Sequence, residues 1–127
     1  MKYLSQEFLD ETVRISQGFA DRPSANARIQ YVVSGGPEGD IRYYWVLVGG
    51  KLQAAKLGEL PDADFTLRMS YDTSTKIQQG ELNPNVAFMT GKMKASGDVG
   101  KLLSLMPLTQ SEDFKSLQAQ LRAQSEY

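Results

Sequence analysis

The side chains available for chemistry are few in kind. In 127 residues there is neither a cysteine nor a histidine. Without cysteine there is no disulfide, no thiolate nucleophile and no sulfur-ligated metal. Without histidine there is no imidazole base, which removes a Ser-His-Asp triad and a histidine-bound zinc. Carboxylates, lysines, tyrosines and hydroxyls remain. Asp62 and Asp64 flank Ala63, while Glu11, Asp40 and Glu59 are scattered, and no spacing pairs two of them as acid and base. Tyr43-Tyr44-Trp45 has the composition of a base-stacking platform, but neighbours in a strand alternate faces, so core or cross-strand packing is their expected use. The net charge of -1 offers no clustered basic surface to displace counterions, so no nucleic-acid partner is expected. The inventory points to binding: no enzyme, no cofactor and no metal.

The elements that must position these residues follow from periodicity and punctuation. Residues 3–20 read as an amphipathic helix with Leu4, Phe8, Ile15 and Phe19 in one stripe and Leu9 and Val13 beside it. Residues 28–34 alternate Ile29, Tyr31 and Val33 against polar partners. The loop 35–40 turns the chain into the best strand, 41–48, with Ile41, Tyr43, Trp45 and Leu47 on one face. Its other face carries Tyr44, Val46 and Val48, so its far end is expected to be covered on both sides. Gly49-Gly50 leads into strand 51–57, and Phe65, Leu67, Met69 and Tyr71 alternate through a fourth strand. Asp72 is expected to cap a short helix reaching Gln79.

Asn83 to Leu108 then carries three start-and-stop signals. Asn83-Pro84 opens a helix that Gly91 closes. Residues 92–96 alternate as a strand, and Gly97-Asp98 caps a helix over 99–106 that Pro107 cannot continue. Thr109-Gln110-Ser111-Glu112 has the form of a capping box. The helix it starts shows only Phe114, Leu117 and Leu121 among polar residues, so at ~25 cal/mol per Å² of apolar burial it is expected to dock loosely. The sum is one domain over 1–127, an α+β arrangement in two layers: a five-stranded, mostly antiparallel sheet covered on one face by about five helices. No apolar run approaches the ~20 residues of a membrane span, and no signal-peptide apolar stretch follows Met1. A reducing interior such as the cytoplasm is expected.

Met69, Met89, Met93 and Met106 all fall on elements that would surround one space. Methionine is flexible and adapts to irregular partners, so a wall built this way can accept apolar chains of varied shape. By pattern alone the same residues also serve as ordinary core.

The stretch Gly80-Glu81-Leu82-Asn83-Pro84 through Ala87-Phe88-Met89, Gly91-Lys92, Lys94 and Gly97-Asp98-Val99-Gly100 resembles the signature GxLNPxxAFMxGKxKxxGxxG of the sterol carrier protein 2 (SCP2) family. The likeness is strong over roughly residues 60–108, extends more thinly back to residue 4, and is weak beyond Leu108. It implies an apolar tunnel between sheet and helices, lined by Trp45, Phe65, Leu67, Met69, Ile77, Leu82, Phe88, Met89, Met93, Leu102, Leu103, Leu105 and Met106. It implies non-enzymatic binding or transfer of a fatty acid, fatty acyl-CoA or sterol-like lipid. Burial at roughly 0.8 kcal/mol per CH₂ would drive this, with about ten methylenes giving on the order of 8 kcal/mol before ordering losses, enough for micromolar binding. Where sterol-carrying members often place a glutamine late in the helix after the GxxG turn, this chain has Met106, which favours a plain acyl chain; Ser104 or Thr90 could offer a hydroxyl.

Gly97-Asp98-Val99-Gly100 also resembles the phosphate-clamping loop of KH domains. There Asp98 would repel a phosphate, which leaves a capped strand-to-helix turn. Lys92, Lys94 and Lys101 are expected to guard a sheet edge, or to meet a CoA phosphate or membrane headgroups in transient contact. A C-terminus of Ser125-Glu126-Tyr127 is no peroxisomal address, so a stand-alone member is expected. The other implied role is an accessory domain presenting a lipid to a partner enzyme, for example in lipid-quinone biosynthesis.

Overall fold

The computed structural model describes residues 1–127. Five strands form one sheet in the order β3-β2-β1-β4-β5, with β1 Ala27–Gly36, β2 Gly39–Val48, β3 Lys51–Leu57, β4 Phe65–Ser70 and β5 Met93–Gly97. Three pairings are antiparallel and one, β1 with β4, is parallel. The helices are α1 Gln6–Ser16, α2 Tyr71–Gln78, α3 Pro84–Met89, α4 Val99–Leu105 and α5 Glu112–Gln124, with a 3₁₀ turn at Met106–Gln110. This is the α+β architecture expected from the pattern, with a mixed sheet.

Alternation decides which face is buried. Ile29 and Val33 of β1, Tyr43 and Leu47 of β2, Leu52 and Ala55 of β3, Phe65, Leu67 and Met69 of β4, and Met93 of β5 all lie inside. Arg42, Lys56, Arg68, Lys94 and Ser96 are exposed on the other side. The expectation that the end of β2 is covered on both faces does not hold. Val48 is 50% exposed, because no helix packs on that side.

One polar residue on the outer face is nonetheless buried. Gln30 donates through Nε2 to the carbonyls of Tyr31 (3.1 Å), Tyr43 (3.0 Å) and Gly58 (3.1 Å), and its Oε1 accepts from the Leu60 N–H at 2.6 Å. The glutamine thereby pins the segment that carries the chain from edge strand β3 back to β4. Gln30→Leu would strand several backbone groups out of water. It is expected to lower stability by about 2 kcal/mol, read as a shift in the urea midpoint at unchanged slope.

Helix α1 is shorter than the stripe at 3–20. Leu4 sits at φ 58°, outside any helix, and Ser5 caps α1 by accepting from the Phe8 N–H. The helix in turn satisfies the free edge of β3. Ser16 Oγ accepts from the Leu52 N–H at 3.0 Å, Gln17 donates to the Leu52 carbonyl at 2.9 Å, and Gln6 accepts from the Leu57 N–H at 3.1 Å. An edge covered this way cannot template another strand.

Two caps differ by a residue or two from the sequence reading. Ser70, not Asp72, caps α2, and Ser111, not Thr109, caps α5. The Asp98 cap of α4 holds. At Gly97 the chain passes so close to β4 that a Cβ would lie 2.7 Å from the Asp64 carbonyl oxygen. With φ at 98°, only glycine fits without strain. Asp64 accepts from the Arg28 N–H and lies 3.3 Å from Lys101 Nζ; the first of these holds its carboxyl below the usual range.

Helix α5 does not dock loosely. Leu117 and Leu121 are 3% and 2% exposed, and α5 packs on α1. Beyond it, Glu126 pairs with the N-terminal segment: the Tyr3 N–H donates to its carbonyl at 3.0 Å, and its own N–H donates to that of Met1 at 2.7 Å. A narrow stripe suffices when both leucines are wholly enclosed.

Candidate ligand cavity

Between the apolar face of the sheet and the helices lies a cavity of about 160 Å³. An apolar space of this size can accept a small hydrocarbon. Twenty-three of its 29 wall residues are hydrophobic and none is charged, so water inside would find few partners.

The structure brings nine of the thirteen sequence-derived residues to this wall: Trp45, Phe65, Leu67, Met69, Ile77, Met93, Leu102, Leu105 and Met106. Leu82 and Phe88 are part-buried against the core but do not reach the cavity. Met89 and Leu103 point away, at 83% and 53% exposed. The reason is helical phase. Short α3 turns Ala87 inward at 0% exposed, which places Met89, two residues on, about 200° around the helix. On α4 the buried pair is Leu102 and Leu105, leaving Leu103 outside.

The wall also takes residues from outside the signature stretch. Leu4, Phe8 and Leu9 come from the N-terminal segment, and Phe114, Leu117 and Leu121 from α5. Tyr31 and Tyr43, directly paired across β1 and β2, stack with ring centres 4.5 Å apart and nearly parallel. Trp45 meets Tyr31 edge-on at 5.2 Å. The alternation of both strands had marked these aromatics as one face; it carried no sign of an empty space in front of them.

Electrostatically the cavity is quiet. Burial pushes the hydroxyls of Tyr31 and Tyr43 well above the usual phenol range. It does the same to Tyr3, although that hydroxyl shares a 2.6 Å hydrogen bond with Ser74 Oγ. No carboxylate, lysine or arginine reaches the wall, and no group of three or more acidic side chains could hold a metal. The hydroxyls of Ser104 and Thr90 are both spent on backbone carbonyls of their own helices, at 2.6 and 2.7 Å, and neither belongs to the wall. No helix is long and apolar enough to cross a membrane.

A model of the SCP-2 sterol transfer family matches residues 17–110. The chain belongs to that family. Solved SCP-2 structures share its fold. A crystal structure of sterol carrier protein 2 superimposes with a TM-score of 0.75 at 18% identity, covering 92% of this chain and 98% of that one. The solution structure of palmitated SCP2L2 from Aedes aegypti gives 0.65 at 19% identity, covering 85% and 96%. In sequence, the chain is 30% identical over 96 residues to Hydroxysteroid dehydrogenase-like protein 2 of Xenopus tropicalis. That match covers 76% of this chain but spans only a fifth (20%) of the relative's length. The SCP-2 likeness thus extends well past the 60–108 stretch where the motif is densest.

Proposed function

We propose that this protein binds and transfers an apolar lipid without acting as an enzyme. The observation that carries the reading is the uncharged, hydrophobic cavity between sheet and helices. Burial of an alkyl chain there contributes roughly 0.8 kcal/mol per methylene, and nothing in the wall can act as nucleophile, base or metal ligand toward it. Fatty acids, acyl-CoA and sterol-like lipids are the candidate ligand classes. Chains longer than the present space require the wall to yield. Met69, Met93 and Met106 suit that, since an unbranched thioether repacks at little cost. The lack of cysteine is compatible with a reducing compartment such as the cytoplasm.

Native mass spectrometry of the protein as purified tests the idea. An adduct of lipid mass, lost on organic extraction and restored on incubation with anionic phospholipid vesicles, is expected. Lys92→Gln with Lys94→Gln should slow that restoration if the two exposed lysines beside α3 meet headgroups. A bare polypeptide mass before and after incubation would count decisively against a carrier.

A second reading is an accessory domain that presents a lipid to a partner enzyme. It is favoured by the partial overlap with a much longer relative whose name is that of a dehydrogenase-like protein. Recovery of a stoichiometric enzyme with the tagged protein, and no lipid on the protein alone, would select it.

A further inference from the structure

Most polar side chains of the cavity wall make a hydrogen bond within the protein. Thr12 donates to the Phe8 carbonyl, Thr109 to that of Met106, Gln78 to that of Gln118, and Gln118 to that of Ile77. Ser74 and Tyr3 bond each other. On the sheet side of the wall, three donors make no such bond. The Trp45 Nε1–H is buried and has no partner, and the Tyr31 and Tyr43 hydroxyls bond nothing in the protein, the upward shift of both coming from burial and neighbouring phenols alone. A buried donor left unpaired, as the indole N–H is, is costly, and native structures seldom tolerate it. These three stand side by side on the sheet, held by the Tyr31–Tyr43 stack and the edge contact with Trp45.

We propose that this aromatic trio is the polar subsite of the cavity, and that it selects lipids whose head is a neutral hydrogen-bond acceptor, such as an alcohol, ester or ketone oxygen. The inference rests on the carrier reading and narrows its ligand. The indole N–H can only donate, so the ligand must supply an oxygen that accepts. Both phenols can donate to the same head. An ionised carboxylate is disfavoured inside, because no cationic side chain reaches the wall to compensate it and burying an uncompensated charge is far costlier than burying a hydroxyl. A lipid with a neutral oxygen can enter head first; one with a charged head must leave that head at the surface and gains nothing from the trio.

Trp45 is the single tryptophan of the chain and so reports from the subsite itself. The test titrates the wild type, Tyr31→Phe, Tyr43→Phe and the double variant with decan-1-ol, n-decane and sodium decanoate at pH 8, following Trp45 emission. Because neither hydroxyl has a partner in the protein, both substitutions keep the ring stack, and unchanged thermal unfolding verifies this. Each single substitution is expected to weaken decan-1-ol about 5-fold, to leave n-decane within about two-fold, and to leave decanoate untouched. Decanoate should bind the wild type at least ~10-fold more weakly than decan-1-ol. Equal losses for alcohol and alkane in the double variant, or decanoate matching the alcohol, would overturn the subsite while leaving a carrier standing. Failure of both alcohol and alkane to bind the wild type would overturn the two together.

Discussion

Leu105→Glu is expected to cost at least ~3 kcal/mol of stability and to abolish alkyl-chain binding, whereas Met89→Glu should do neither. Leu105 is 9% exposed and lines the cavity. Its replacement loses the packing of a buried leucine, worth about 2–5 kcal/mol even when only truncated, and sets a carboxyl where no cation can meet it. The deficit carries a pH signature. Burial raises the carboxyl's folded-state pKa above its unfolded value near ~4.3, so the folded state binds more protons than the unfolded one. The variant therefore loses stability as pH rises through the raised value and regains part of it as pH falls. Urea midpoints at pH 5 and pH 8 would show the gap from wild type widening with pH. Met89, 83% exposed on α3, should change stability by no more than about 0.5 kcal/mol and leave binding within two-fold. Equal behaviour of the two variants would mean that the cavity is not where ligand sits.

Removing α5 and the residues after it is expected to unfold the protein outright, with loss of near-ultraviolet circular dichroism. A movable lid would predict a folded core with faster ligand exchange. Leu117 and Leu121 are buried and shared between the cavity wall and the packing against α1. Their loss removes roughly 1.5–3 kcal/mol of burial each. It also uncovers the side of α1 on which α5 packs and breaks the bridge from Glu126 to the N-terminal segment. Against a typical total of 5–15 kcal/mol, little would remain. A cooperative thermal transition retained by the truncated chain would show that α5 is a lid and not part of the folded core.

Much of this architecture was legible from residue order alone. Alternation in 28–34, 41–48 and 65–71 marks three strands and their inward faces, because the two-residue period of a strand ties every second side chain to one side; the third strand ends at Ser70, and Tyr71 already opens α2. Asn83-Pro84 and Gly97-Asp98 mark helix starts, because a cap is a local bargain between a side chain and the nearest backbone N–H groups. The absence of histidine and cysteine excludes whole classes of chemistry without any fold. The motif at 80–100 pointed to the family, and the family model agrees.

Other features depend on which elements meet, and no short window contains that. Met89 and Leu103 look like wall residues in order of type, yet the phase of two short helices turns them outward. The helix at 112–124 looks too polar to dock, yet it packs on α1 and both its leucines are enclosed. The parallel pairing of β1 with β4 joins residues far apart in the chain, from Ile29 with Phe65 to Ser34 with Ser70. The cavity is the fullest case. Emptiness is a failure of side chains from separate elements to fill the volume between them, and only the assembled sheet and helices determine how much volume there is.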